Sequence, residues 1–160
     1  MLCIKNGLIY TMTQKEPIKG DVLIEDGKIR GIGANLEIPE GTEVIDAEGL
    51  EVYPGFVEAH CHTGLDGYGI GYEGRDYCEL NDLVTPQLRA IDGINPFDPC
   101  FRHAREAGVT CIGTGPGSAD VLGGTFAAVK TAGKRIDKMV VKYPVAMKCA
   151  FGENPKNCYQ

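Results

Sequence analysis

The chain has 160 residues, 43% hydrophobic and 24% charged, with a net charge of −6 and a pI near 5.1. This is the composition of a globular chain long enough to bury a core, and its acidic balance argues against the basic footprint of a nucleic-acid binder. No run reaches the ~20 apolar residues of a membrane span, and the first residues lack the apolar core and small-residue cleavage site of a signal peptide.

Seven cysteines are scattered at Cys3, Cys61, Cys78, Cys100, Cys111, Cys149 and Cys158. The count is odd and no C-x-x-C occurs, so a disulfide framework is not expected and a reducing cytoplasm is the expected compartment.

Residues 1–53 read as an all-β segment. Asn6-Gly7 and Asp26-Gly27 are hairpin signals, because these residues tolerate positive φ. Glu48-Gly49 is a third turn pair, and Pro39-Glu40-Gly41 a loop. Short apolar runs flank them: Leu8-Ile9-Tyr10, Val22-Leu23-Ile24, Val44-Ile45. Strands this short predict a small sheet that packs on something else.

Pro54-Gly55 then marks an entry turn into Phe56-Val57-Glu58-Ala59-His60-Cys61-His62. Phe and Val favour a strand. In a strand, residues two apart share a face, so His60 and His62 would stand side by side, about 7 Å apart at their Cα atoms. Two imidazoles that close can share a metal ion. Glu58 falls on the same face and could accept an imidazole N–H, orienting the ring. Cys61 points to the opposite face and reads as a packing residue. Two ordinary histidines at a strand end are the plain alternative.

From Thr63 to Pro96 the chain is rich in glycine, tyrosine and acids. Gly69, Gly71 and Gly74 match the G-x-G-x-x-G spacing of dinucleotide sites, but no buried strand precedes them and no clear helix follows. A long flexible loop over a site is the expectation. Asp98-Pro99 then opens a helix, with an acid at the N-cap and proline at the first helical position. Phe101, Ala104 and Ala107 share one face, and Gly108 ends it. His103, mid-helix, reads as a surface residue. Val109–Ile112 is a buried-type strand. Strand, loop, helix and strand make a βαβ unit, whose two strands are expected to be parallel. Gly113-Thr114-Gly115-Pro116-Gly117-Ser118 is no phosphate loop, since it lacks G-K-[ST]. Val121–Val129, with its two glycines, reads as irregular. Met139-Val140-Val141 and Val145-Ala146-Met147 are two strand candidates.

Two histidines do not complete a catalytic zinc site, which usually takes three protein ligands and one open position. Glu153, after the last strand candidate, is the best further candidate in this chain, and Asp66 a weaker one. A solvated loop acid is the plain reading of each.

The run from Pro54 to His62 resembles the first-strand signature of the amidohydrolase superfamily. Gly115-Pro116-Gly117-Ser118 and Phe151-Gly152-Glu153-Asn154-Pro155-Lys156 resemble its imidazolonepropionase-like branch. Where the family often has aspartate two before the first histidine, this chain has Glu58. The resemblance implies an α/β fold in which an N-terminal β-sandwich segment, 1–53, is followed by the first βα units of an incomplete TIM-like (β/α)8 barrel, 54–160. It implies that His60 and His62 hold a divalent metal, most often zinc, and that Glu153 matches a glutamate used after the third strand. The activity it implies is hydrolysis of a carbon–nitrogen (non-peptide) bond in a small amide, cyclic amide or amidine. The family's other histidines and its catalytic aspartate come from strands four to eight, for which this chain has no residues. A full barrel takes about 250 residues, so the residues from Pro54 onward suffice for about three βα units. The expectation is therefore an N-terminal portion, inactive and prone to aggregate alone through its open strand edges. Its expected partners are a small-molecule substrate, with no nucleic acid and no membrane, and either a second copy of itself or the missing C-terminal part. A non-catalytic remnant or assembly module is the alternative. A nucleotide module on Gly69, Gly71 and Gly74 is a weaker third.

Overall fold

The structure, a computed structural model, describes residues 1–159. Contacts divide the chain into two units, Met1–Pro54 and Gly55–Gln160. The fold is mixed α/β, with one sheet in each unit. No helix among the described residues is long and apolar enough to cross a membrane.

The first unit is a five-stranded sheet built around β1 (Leu2–Ile9). On one side β1 pairs antiparallel with β2 (Ile18–Glu25), which turns back into β3 (Lys28–Gly33). On the other side β4 (Glu43–Asp46) and β5 (Glu51–Val52) lie parallel to successive parts of β1. Cys3, Ile9 and Val22 are buried in it. Asp26-Gly27 makes the expected hairpin, with φ of 50° and 71°. Asn6-Gly7 does not. Asn6 takes φ 63° inside β1, where the register with β2 shifts. Its backbone N–H donates to Asp21 (2.9 Å) and its side-chain amide to Asp46 (3.0 Å). Two acceptors from distant strands hold the left-handed residue as a bulge instead of a turn.

The second unit opens with β6 (Phe56–Cys61). A long connection follows, containing a 3-10 turn at Tyr72–Gly74 and the short α1 (Ala90–Gly93). The G-x-G-x-x-G glycines thus sit in a loop around that turn. Asp98 caps α2 (Pro99–Glu106) by accepting the Cys100 N–H at 2.8 Å, and Gly108 follows at φ 86°, as its position predicts. Phe101 is the buried anchor of α2. β7 (Val109–Thr114) then pairs parallel with β6, completing the expected βαβ unit.

Beyond β7 the chain departs from the sequence-based expectation. Val121–Val129 is not irregular, because β8 (Leu122–Lys130) is a full strand antiparallel to β7. Its two glycines do not interrupt the strand; they admit a neighbour. Gly124 takes φ 104°, and a Cβ there would meet the Leu88 carbonyl oxygen at 2.5 Å. After the short α3 (Ile136–Met139), the two strand candidates prove to be one, β9 (Val140–Cys149), antiparallel to β8. Pro144 lies inside it, where the pairing is irregular and at the end of the sheet order β6-β7-β8-β9, a position that needs no ladder N–H. Finally α4 (Glu153–Cys158), which no periodicity announced, closes the described chain.

The helices cover the sheet through one cluster: Leu65, Ala90, Ile94, Phe101, Ile112, Ala127, Val129 and Met139. Ile112 is 1% exposed. Ile112→Ala should therefore leave a cavity and cost about 2–5 kcal/mol, read as a lowered midpoint of urea unfolding. A cost near zero would mean that this cluster is not the core.

Candidate functional site

The entry turn is required by contact as well as by chain direction. A Cβ at Gly55 would collide with the Thr110 side chain, so β6 can lie against β7 only with glycine there. Phe56 N–H donates to the Gly108 carbonyl at 2.9 Å, which sets the start of the parallel pairing. The register runs Phe56↔Val109, Glu58↔Ile112 and Cys61↔Thr114, with irregularities between. β6 ends the sheet and is largely exposed. Cys61 packs against the buried cluster, as expected for a residue on the opposite face from the histidines.

His60 and His62 come together. Their ring centroids are 5.5 Å apart, with the planes at 88°. His60 is exposed and meets the Phe126 ring edge-on at 5.3 Å. His62, just past the end of β6 and half-buried, stacks on Tyr77 at 5.3 Å with the planes 18° apart. Its Nδ1 lies 2.7 Å from the Gly115 carbonyl oxygen. A carbonyl oxygen only accepts, so Nδ1 carries the proton and donates it. In the neutral ring Nε2 is then left with its lone pair, which is how a metal-binding histidine is fixed by the bond its other nitrogen makes.

The other sequence candidates fall differently. Glu58 accepts the backbone N–H of His60 at 2.9 Å and thus bonds its own strand, not an imidazole. Glu153 is the exposed first residue of α4. Asp66 is exposed and ion-paired with Arg75 at 3.4 Å. Among the described residues no three His, Cys, Asp or Glu side chains stand together as a metal cage, so neither acid joins the histidine pair. His103 is exposed, with Tyr68 edge-on at 5.3 Å.

His62 lines a cleft of about 550 Å³. Tyr77, Cys78 and the 117–119 loop form part of its wall, and α4 adds Asn154, Asn157 and Cys158. Burial is the main influence on the Cys78 thiol and pushes its pKa up, although the Ala119 and Gly117 N–H groups pull it down. This cysteine therefore stays a thiol at neutral pH. Sequence reasoning missed the cleft residues Tyr77, Asn154 and Asn157, and the buried Asp120 behind them. Only Gly152-Glu153-Asn154-Pro155 carried a signal: a glycine, which accepts the positive φ of 84° that it takes, ahead of a first turn that contains a proline.

Over its full length the chain has a close structural counterpart. The crystal structure of an amidohydrolase from Thermotoga maritima superposes with a TM-score of 0.93 at 41% identity, covering 99% of this chain and 41% of that one. The amidohydrolase tasK of Hapsidospora irregularis is 35% identical over 155 residues, which are 88% of this chain and 16% of that protein. The chain belongs to the amidohydrolase superfamily. A D-hydantoinase of Geobacillus stearothermophilus is 51% identical over 62 residues, 39% of this chain and 12% of its own length. No protein-family model matches. The resemblance is to an enzyme family, and the chain spans well under half the length of each of these relatives.

The two histidines of this amidohydrolase-superfamily chain share a support at Gly115. A Cβ there would run into the Phe126 ring that borders His60, while the Gly115 carbonyl anchors His62. Gly115→Ala should therefore cost about 1–3 kcal/mol through overpacking and shift both imidazole resonances in NMR spectra. Unchanged His60 and His62 signals would show that the contacts do not support the rings.

Proposed function

We propose that the protein is a metal-dependent hydrolase of carbon–nitrogen (non-peptide) bonds in a small molecule, an amide, cyclic amide or amidine. One observation carries this reading. His60 and His62 stand together, with the proton of His62 held on Nδ1 by a main-chain carbonyl and the lone pair of the neutral ring left on Nε2. The names of the relatives, amidohydrolase, dihydroorotase and D-hydantoinase, support the bond class.

The donor set suits a divalent ion, since imidazole takes zinc, iron, nickel and copper. His60 and His62 would hold it. When bound, such an ion lowers the pKa of a water to near 7 and polarises the carbonyl under attack. Gly115 and Tyr77 fix the tautomer and plane of His62. Asn154 and Asn157 line the cleft, and an asparagine amide has both the donor and the acceptor that an amide substrate would pair with. Glu153 remains the candidate third ligand of this chain only if α4 moves toward the pair. The remaining ligands and the general base are assigned to the part of such an enzyme that this chain does not span. In the same reading the five-stranded sheet is a sandwich segment, and the parallel pair β6–β7 supplies the opening strands of a TIM-type barrel, to which the antiparallel β8 is an addition. Zinc is the proposed metal and the cytoplasm the proposed compartment, the latter supported by the odd cysteine count without C-x-x-C.

The test is metal affinity and hydrolysis measured together on the intact protein. Zinc binding should weaken by on the order of 100-fold or more in His60→Ala and in His62→Ala, beyond the loss typical for an orienting partner. Hydrolysis of hydantoin or dihydrouracil should disappear in both. Wild-type protein that neither retains zinc nor hydrolyses any cyclic amide would favour the non-catalytic reading, in which this unit serves assembly through its open sheet edges.

A further inference from the structure

Asp120 is fully buried, at 0% exposure. Its Oδ2 has no hydrogen-bond partner among the described residues. It lies beside Gly123, where a Cβ would sit 3.1 Å from it, with Pro116 alongside. Its other oxygen, Oδ1, meets the hydroxyl of Tyr159, the residue directly after α4. The same hydroxyl lies 3.0 Å from the Glu79 carbonyl oxygen and 2.8 Å from that of Asp82.

Three oxygens therefore converge on a hydroxyl that owns one proton. With an ionised Asp120, three acceptors would compete for that proton, and a negative charge would sit on a buried oxygen with no donor. Burying an unpaired carboxylate is among the most costly arrangements in a protein interior. With Asp120 as the neutral acid, its own O–H donates to the Tyr159 oxygen, and Tyr159 donates onward to a carbonyl. Two protons then serve the cluster, and the orphan oxygen is uncharged.

We propose that Asp120 and Tyr159 form a proton-linked latch that docks α4 beside the His62 cleft when Asp120 is protonated and releases it when Asp120 ionises. The titratable groups that act on Asp120 are Tyr159, from the end of α4, and Glu79, from the loop beside it; Cys78 and Cys158 stand nearby. None of these is basic. Burial is the largest influence and holds the Asp120 carboxyl above the ordinary aspartate range, Glu79 adds to it, and the Tyr159 bond opposes it. Burial and the Asp120 contact also raise Tyr159, which keeps its proton throughout the neutral range.

The latch acts on the cleft through its connections. α4 contributes Asn154, Asn157 and Cys158 to the wall. The loop it is tied to runs directly on from Tyr77, which stacks on His62. Releasing Tyr159 frees one wall and loosens the other.

The sign follows from linkage. Docked Asp120 binds its proton more tightly than Asp120 in water, whose pKa is about 3.9. The docking energy is therefore fully present below that value and is lost as pH rises through the higher docked-state pKa.

Amide hydrogen exchange of residues 156–159 in the intact protein, expressed as protection factors from pH 4 to pH 8, tests this. Wild-type protection should fall with rising pH, about tenfold for each pKa unit by which docking raises Asp120. Asp120→Asn, fixed in the neutral form, should keep its protection level across the range. Tyr159→Phe should be poorly protected even at low pH. Wild-type protection independent of pH, or an Asp120→Asn variant that keeps the wild-type slope, would overturn the proposal. Should a variant fail to fold, the carboxyl ¹³C titration of Asp120 in the wild type decides: a midpoint above the ordinary aspartate value supports the latch, and one at or below it refutes the latch.

Discussion

Parallel strands cannot be joined by a tight turn, and the pairing of β6 with β7 is made instead through the long connection that ends in α2. That pairing sets the site. It carries the residues after β7 alongside those after β6, so that the Gly115 carbonyl reaches His62 across a separation of 53 residues. The Gly115 N–H in turn donates to the Cys61 carbonyl at 3.3 Å. The Thr114 hydroxyl also donates to the Thr63 carbonyl at 2.8 Å. Three contacts lock the end of one strand to the end of the other, and the histidines stand where they are locked.

Aromatic packing then defines the pair. An exposed imidazole at a strand end would sample several rotamers, and fixing it costs conformational entropy. Phe126 meets His60 by its edge, Tyr77 meets His62 by its face, and the two imidazoles meet each other nearly at right angles. Each ring is oriented by the geometry that aromatic quadrupoles prefer. The same close packing explains the glycines around it. A Cβ at Gly113 would meet the Ala59 carbonyl at 2.5 Å, and one at Gly117 would run into Tyr77. Side chains are absent from 113, 115 and 117 because the β6 backbone, the Phe126 ring and the Tyr77 ring occupy their places.

Much of this was legible in the sequence, wherever the signal was local. Asp98-Pro99 and Gly108 bound α2 because capping chemistry depends only on near neighbours. Asp26-Gly27 makes its hairpin for the same reason. The strand character of Phe56–Cys61, the shared placement of His60 and His62 and the inward turn of Cys61 all follow from the two-residue period. What failed depends on distant partners. Asn6-Gly7 became a bulge because Asp21 and Asp46 reach it from other strands. Gly123-Gly124 became part of a strand because the loop at Leu88 approaches the chain there. Glu58 has a backbone N–H of its own strand within reach, and that local bond forms in preference to one with an imidazole. The Tyr159–Asp120 contact joins residues 39 apart, and neither residue type announces it.

The two kinds of element at the cleft differ in what holds them. β6, β7 and β8 are fixed by ladder hydrogen bonds and by a buried cluster centred on Ile112, Ala127 and Val129. α4 is six residues long, too short to be stable by itself, and buries only Pro155 within its own span. Its position rests on its ends: the Ala150 N–H donating to the Val121 carbonyl at 3.4 Å before it, and the Tyr159 hydroxyl after it. A cleft with one wall of laddered strands and one wall held by a few polar contacts has its freedom concentrated in the second wall. Local opening is expected to concentrate where buried apolar contacts are few, which here is the α4 side. The paired imidazoles thus stand at the end of the laddered strands, and the α4 side is where the cleft is least constrained.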